Sequence, residues 1–176
     1  AFNFTDGING LASLIGISWF LYLIIKIPLI LDVYLIFLLF LLSFLIVNFS
    51  NKSYLGDSGN YIISTIIGSL ILILNSQFPF IFYVEEIFLL LLVPGLDLIR
   101  LFYVRIKKRR SPLVGDLNHL HHLLIEKFSL KKALFIYVSM INIPIYIYYL
   151  FNNLLIYIIV LKILAYTFIV KRISKN

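Results

Sequence analysis

Tyr34-Leu35-Ile36-Phe37-Leu38-Leu39-Phe40-Leu41-Leu42-Ser43-Phe44-Leu45-Ile46-Val47 carries no charge and no alternation of polar with apolar residues. A strand of a membrane barrel requires that alternation, so this run reads as a helix. Widened to residues 28–48, it reaches the ~20 apolar residues that cross a bilayer as a helix. Five further stretches come close: 11–27, 60–76, 80–104, 132–151 and 153–170. With 62% hydrophobic residues, 13% charged ones and a mean hydropathy of +1.04, the chain belongs with membrane proteins. The expectation is an all-α, polytopic transmembrane bundle of about six spans. Residues 1–176 would form one integral-membrane domain with a cytoplasmic amphipathic segment.

The cations sharpen this picture. Lys107, Lys108, Arg109 and Arg110 follow one apolar stretch, Lys127, Lys131 and Lys132 precede the next, and Lys171, Arg172 and Lys175 close the chain. Such clusters beside membrane helices mark cytoplasmic loops, which accounts for the net charge of +7 without nucleic acid. Alternating six spans from a cytoplasmic amino end puts residues 49–59, 105–131 and the tail inside. Lys26 falls outside and Lys162 within a span. The absence of cysteine excludes disulfides, zinc–thiolate sites and thiol nucleophiles. No charged segment precedes a short apolar core at the start, so no cleavable signal is read there. The chain opens at Ala1, enters a polar motif within three residues, and reads as the carboxy-terminal part of a larger protein with earlier helices missing.

Three polar islands interrupt the apolar stretches, and the alternation puts all three on the cytoplasmic side. The first is Asn3-Phe4-Thr5-Asp6-Gly7-Ile8-Asn9-Gly10. Its Asn, Asp and Gly residues suit a helix cap, or an acid and amides facing a polar substrate. The second is Tyr54-Leu55-Gly56-Asp57-Ser58-Gly59-Asn60. Asp57 reads either as a cap of the next helix or as a Mg²⁺ ligand, since magnesium takes one or two protein oxygens and fills its shell with water and phosphate. Tyr54 offers a ring on which a base can stack.

The third island, Ser111-Pro112-Leu113-Val114-Gly115-Asp116-Leu117-Asn118-His119-Leu120-His121-His122-Leu123-Leu124, holds every histidine of the chain. On one helix His119 and His122 would share a face. Leu113, Leu117, Leu120, Leu123 and Leu124 would form an apolar stripe along the membrane surface. Interfacial snorkelling and a metal patch compete with a substrate role. A single cluster does not suffice for a histidine-box oxygenase, and no His-Glu-x-x-His protease motif occurs. Handling of phosphate by His with nearby Arg or Lys remains. Upstream, Pro94-Gly95 favours a break or kink in the fourth span, and Asp97 with Arg100 makes an i,i+3 pair, structural or functional.

These segments together resemble the polyprenyl-phosphate N-acetylhexosamine-1-phosphate transferases, the MraY/WecA/TagO group. Asn3 to Leu11 is similar to that family's Asn-Phe-x-Asp-Gly-x-Asp/Asn-Gly-Leu motif, and Leu55-Gly56-Asp57-Ser58-Gly59 to its Met/Leu-Gly-Asp-x-Gly motif. Asp97 to Arg100, then Ser111-Pro112, then Asp116-x-x-His119-Leu120-His121-His122 resembles the long signature of the WecA-like branch. The resemblance implies transfer of N-acetylhexosamine-1-phosphate from a UDP-N-acetylhexosamine to polyprenyl (undecaprenyl) phosphate, releasing UMP. That is the first membrane step of cell-envelope polysaccharide synthesis, set at the cytoplasmic face of the inner membrane. It implies Mg²⁺, with Mn²⁺ as the alternative ion, and Asp57 as its ligand.

By the same resemblance Asp6, Asp57, His119, His121 and His122 are the catalytic set. Asn3, Asn9, Asn48, Tyr54, Arg100 and Asp116 contact substrate, and an oligomer is compatible with the family. Asn9 stands where a second Asp is frequent, and Leu117 where many relatives carry Arg. The family's adjacent Asp-Asp pair occurs nowhere in this chain, so the segment alone is expected to be inactive. The competing reading is a transporter or channel component with a broken helix and Asp97 lining a solute path.

Overall fold

The computed structural model describes residues 7–109, 111 and 118–174. Seven α-helices account for most of them: α1 (Leu11–Lys26), α2 (Leu31–Phe49), α3 (Gly56–Gln77), α4 (Val84–Lys107), α5 (Leu120–Lys127), α6 (Leu130–Leu150) and α7 (Leu155–Ser174). No strand occurs among the described residues. The apolar stretches are therefore helices, as continuous hydrophobicity requires where lipid offers the backbone no partner. Five of them, counting the short 3-10 turns that lead into α2 and α7, are long and apolar enough to cross a membrane. α1 is shorter: its 16 residues span about 24 Å, less than the hydrocarbon layer. The protein is a multi-pass membrane protein.

The chain divides into two compact units at Tyr83 and Val84. In the first, α1 packs on both α2 and α3. Leu11, Ile15, Trp19, Phe20, Tyr22 and Leu23 of α1 are buried, whereas Leu35, Ile36, Leu39, Phe40 and Ile46 of α2 are exposed. In a membrane helix that exposed apolar surface faces lipid, so burial marks the packed helix rather than the hydrophobic one. Lys26, at the last turn of α1, lies 6.0 Å from the Phe82 ring centre and 5.8 Å from that of Tyr83, a cation–π arrangement that screens the charge.

In the second unit α4, α6 and α7 pack on one another, and the short α5 packs on α6 and α7. Lys162 of α7 is buried, and its ammonium donates to the Leu89 carbonyl of α4 at 2.6 Å. Lys127 at the end of α5 donates to the Arg172 carbonyl at 3.1 Å, drawing α5 to the carboxy-terminal end of α7. Of the break or kink expected at Pro94-Gly95, the break does not occur: α4 is continuous through both. Proline removes one backbone hydrogen bond, and the packed neighbours of a membrane helix make that loss tolerable.

Candidate functional site

At one end of the first unit the chain ties Asn9 and Gly10, at the start of α1, to the end of α2. α2 ends with Asn51 in the left-handed region at φ 57°. The Asn51 N–H donates to the Asn48 carbonyl at 3.0 Å, and that of Lys52 to the Val47 carbonyl at 3.2 Å. This paired pattern closes helices whose following residue tolerates positive φ, a role open to Asn. The turn places Asn51 so that its carboxamide oxygen accepts from the Asn9 amide. Asn48, itself buried, accepts the Gly10 backbone N–H and donates to the Ser53 carbonyl at 2.7 Å.

Gly10 makes this approach possible. Its φ is +86°, and a Cβ there would sit 2.5 Å from the Phe49 ring. One glycine thus supplies both the backbone conformation and the room at the start of α1. Gly56 likewise has φ +63° where the chain enters α3. Asp57 lies in the first turn of α3, exposed, just beyond the loop that Asn9 and Asn48 bind. Tyr54 is 72% exposed in the same loop. A carboxylate in a first helical turn is favoured by the helix dipole and keeps its oxygens accessible.

The second unit assembles a different centre around Asp97, which is only 3% exposed. One carboxylate oxygen accepts from the Arg100 guanidinium at 2.8 Å and from the Tyr166 hydroxyl of α7, also at 2.8 Å. The other meets His119 Nδ1 at 2.9 Å. The Leu120 N–H reaches both oxygens, at 3.1 and 3.2 Å. That N–H belongs to the first turn of α5, which has no capping hydrogen bond from its own N-cap side chain. Asp97 therefore acts as a cap donated by another helix, and the cost of burying its charge is met by several charge-assisted hydrogen bonds. Arg100 completes the set: Nε donates to the Tyr166 oxygen at 2.9 Å, and NH2 to the Asn118 carbonyl.

This capture corrects the expected shared face of His119 and His122. His119 is the N-cap of α5, with extended backbone at φ −61° and ψ 149°, so it stands before the helix. Its ring instead stacks on His121, with centres 5.4 Å apart and planes 8° from parallel. His121 also lies 4.3 Å from the His122 ring and 6.4 Å from that of Tyr137. His121 is 1% exposed, and neither of its ring nitrogens has a hydrogen-bond partner among the described residues. Burial first, then the neighbouring His122 and His119, push its pKa down to about 3. Burial and these neighbours favour the neutral ring of His121.

Of the residues singled out from sequence, Asn9, Asn48, Tyr54 and Asp57 lie at one end of the α1–α3 unit, and Arg100, His119, His121 and His122 lie together in the α4–α7 unit. Asn3, Asp6 and Asp116 fall outside the described residues, as do Leu113 and Leu117 of the expected stripe; Leu120 and Leu124 are buried. Tyr166 and Asn51 were not anticipated. Tyr166 is one of 12 tyrosines with no local mark, and only its depth in α7 opposite Asp97 distinguishes it. Asn51 had a signal, an Asn just past an apolar run, which is the residue type that ends a helix in the left-handed region.

These features define a multi-pass helical membrane protein with an exposed acid at one helix start and a buried Asp–Arg–His–Tyr network elsewhere. The family model described as Glycosyl transferase family 4 matches residues 1–75, nearly all of α1–α3 and the first two polar islands. The match supports the MraY/WecA-type family in broad terms; the histidine island lies beyond it. No curated protein and no solved structure matches the chain.

Proposed function

We propose that this chain belongs to a polyprenyl-phosphate N-acetylhexosamine-1-phosphate transferase of the WecA-like branch. In the proposed reaction a polyprenyl-phosphate oxygen bonds to the β-phosphorus of a UDP-N-acetylhexosamine. The bond from that phosphorus to the bridging oxygen breaks, its electron pair leaves with UMP, and the sugar remains on the new lipid diphosphate. The observation that carries this reading is the family match over residues 1–75, which include both acidic islands; the Asn9–Asn51 and Gly10–Asn48 hydrogen bonds tie the start of α1 to the end of α2. The basic clusters beside the spans support a site facing the cytoplasm of an inner membrane.

No group of three His, Cys, Asp or Glu that could hold a metal exists among the described residues. Magnesium does not require one, because a single carboxylate with substrate phosphates and water completes its octahedron. Asp57, exposed in the first turn of α3, would hold such an ion, which would supply charge neutralisation to the diphosphate. Asn9 and Asn48 shape the adjoining turn, and Tyr54 presents a ring to the nucleotide base. In the other unit His119, held by Asp97, together with His121, His122 and Arg100, contacts phosphate or sugar in this reading. By the family resemblance Asp6 with Asn3 serves the nucleotide and the chemistry, and Asp116 contacts substrate. The transporter reading loses its main support with the unbroken α4 and the multiply bonded Asp97.

The test is UMP release by the intact protein in detergent, supplied with UDP-N-acetylhexosamine and polyprenyl phosphate. Wild type should turn over only with Mg²⁺ or Mn²⁺, and Asp57→Ala should lose at least roughly a hundred-fold in kcat/KM. Full activity in that variant would remove Asp57 as the metal ligand, and no UMP from wild type would end the proposal.

A further inference from the structure

We infer that Tyr166 is a positioning residue for His119. With Arg100 it holds the Asp97 carboxylate in the orientation that keeps a proton on His119 Nδ1 and turns Nε2 into the nitrogen that exchanges with substrate. The inference rests on His119 contacting substrate as proposed above.

The direction of each hydrogen bond follows from its neighbours. The Tyr166 oxygen accepts from Arg100 Nε at 2.9 Å, so its own hydrogen is directed at Asp97, 2.8 Å away. Asp97 as a carboxylate only accepts, and it already takes Tyr166, Arg100 and the Leu120 N–H. Its contact with His119 Nδ1 at 2.9 Å is consequently an Nδ1–H donated by the ring. That assignment holds for the neutral ring and for the imidazolium alike, since both carry the Nδ1 proton. What differs between the two states is Nε2, which accepts from a hydroxyl when neutral and donates to a phosphate oxygen when charged.

Four separate pieces of chain fix the geometry. Asp97 and Arg100 come from α4, Tyr166 from α7, the Leu120 N–H from α5, and the Asn118 carbonyl, held by Arg100, from the residue just before His119. Tyr166 adds to the Asp97–Arg100 pair a donor from a different helix, on the same carboxylate oxygen that Arg100 holds. The tyrosine closes a triangle with Arg100 on one carboxylate oxygen of Asp97, while the other oxygen meets the imidazole. Without its hydroxyl, Arg100 Nε loses its acceptor and the carboxylate loses one of the donors that set its tilt. The His119 ring would then sample a second orientation or tautomer, and the ring stacked on it, His121, would follow.

The experiment uses the intact protein in detergent with ¹⁵N-labelled histidine, and compares wild type, Tyr166→Phe and Asp97→Asn. The wild-type nitrogen shifts should show His119 protonated at Nδ1. Asp97→Asn should move that proton to Nε2, because the amide can donate where the carboxylate could only accept. Tyr166→Phe should keep the fold but give a mixed or broadened His119 signal. Its kcat should fall roughly ten-fold, with KM for the UDP-sugar changed less than about two-fold. An unaltered His119 signal in Tyr166→Phe would overturn the inference, whether or not kcat fell, because the hydroxyl would then act on packing alone. A wild type that releases no UMP but shows the Tyr166-dependent signal would end the transferase reading and leave the positioning in place.

Discussion

The two units treat their acids in opposite ways. In α1–α3 the acid available for chemistry, Asp57, is exposed in a first helical turn, and the surrounding polar bonds run between amides and backbone. In α4–α7 the acid, Asp97, is buried and bonded to a guanidinium, a phenol, an imidazole and a backbone N–H. An exposed carboxylate keeps most of its hydration. A buried one persists only where its charge is fully answered, and in return it fixes the groups that answer it. One unit thus leaves an acid at its surface; the other spends Asp97 on internal order.

The sharpest way to break the contrast is to remove both acids and compare stability. Asp97→Ala should destabilise the protein by about 3 to 5 kcal/mol, because Arg100 and the α5 N-terminus lose a buried partner together. Asp57→Ala should shift unfolding by no more than about 0.5 kcal/mol, the range for exposed sites. Equal shifts in denaturant-unfolding midpoints would show that Asp57 too is structural.

Next in size is a pH effect confined to the second unit. His121 titrates at about 3 in the folded protein, below its unfolded value near 6.5. The unfolded chain therefore binds the extra proton, so the stability tied to a neutral His121 is complete above pH 6.5 and declines as the pH falls towards 3. Between pH 6.5 and 4 the decline should approach about 3 kcal/mol, and His121→Leu should flatten that part of the profile. A variant with the wild-type slope would place the acid sensitivity elsewhere.

The smallest effect belongs to the turn in the first unit. Asn48→Ala leaves the Gly10 N–H and the Ser53 carbonyl without their partner, which should cost about 1 to 2 kcal/mol. Amide hydrogen exchange should accelerate at the start of α1 and through the 50–55 loop, with α4–α7 unaffected. Faster exchange in α4–α7 would mean that the turn supports more than its own unit.

Hydrophobic continuity alone determined the helices. Runs such as 34–47 admit no other structure in lipid, because only a helix satisfies its own backbone there, and the described residues contain no strand. The Asp97–Arg100 pair was also legible, since three residues on a helix put two side chains on one face. So was the need for glycine at Gly10 and Gly56, from the polar turns around them. Packing decided the rest. Whether His119 joined a helix depended on Asp97 drawing it and the Leu120 N–H out as a cap, and whether His121 could carry charge depended on its burial. The role of Tyr166 depended on two helices meeting 69 residues apart in sequence. Helix formation reflects each residue's own preference for lipid over water, which composition records. Burial, tautomer and hydrogen-bond direction belong to pairs of groups distant along the chain, and only their meeting in three dimensions creates them.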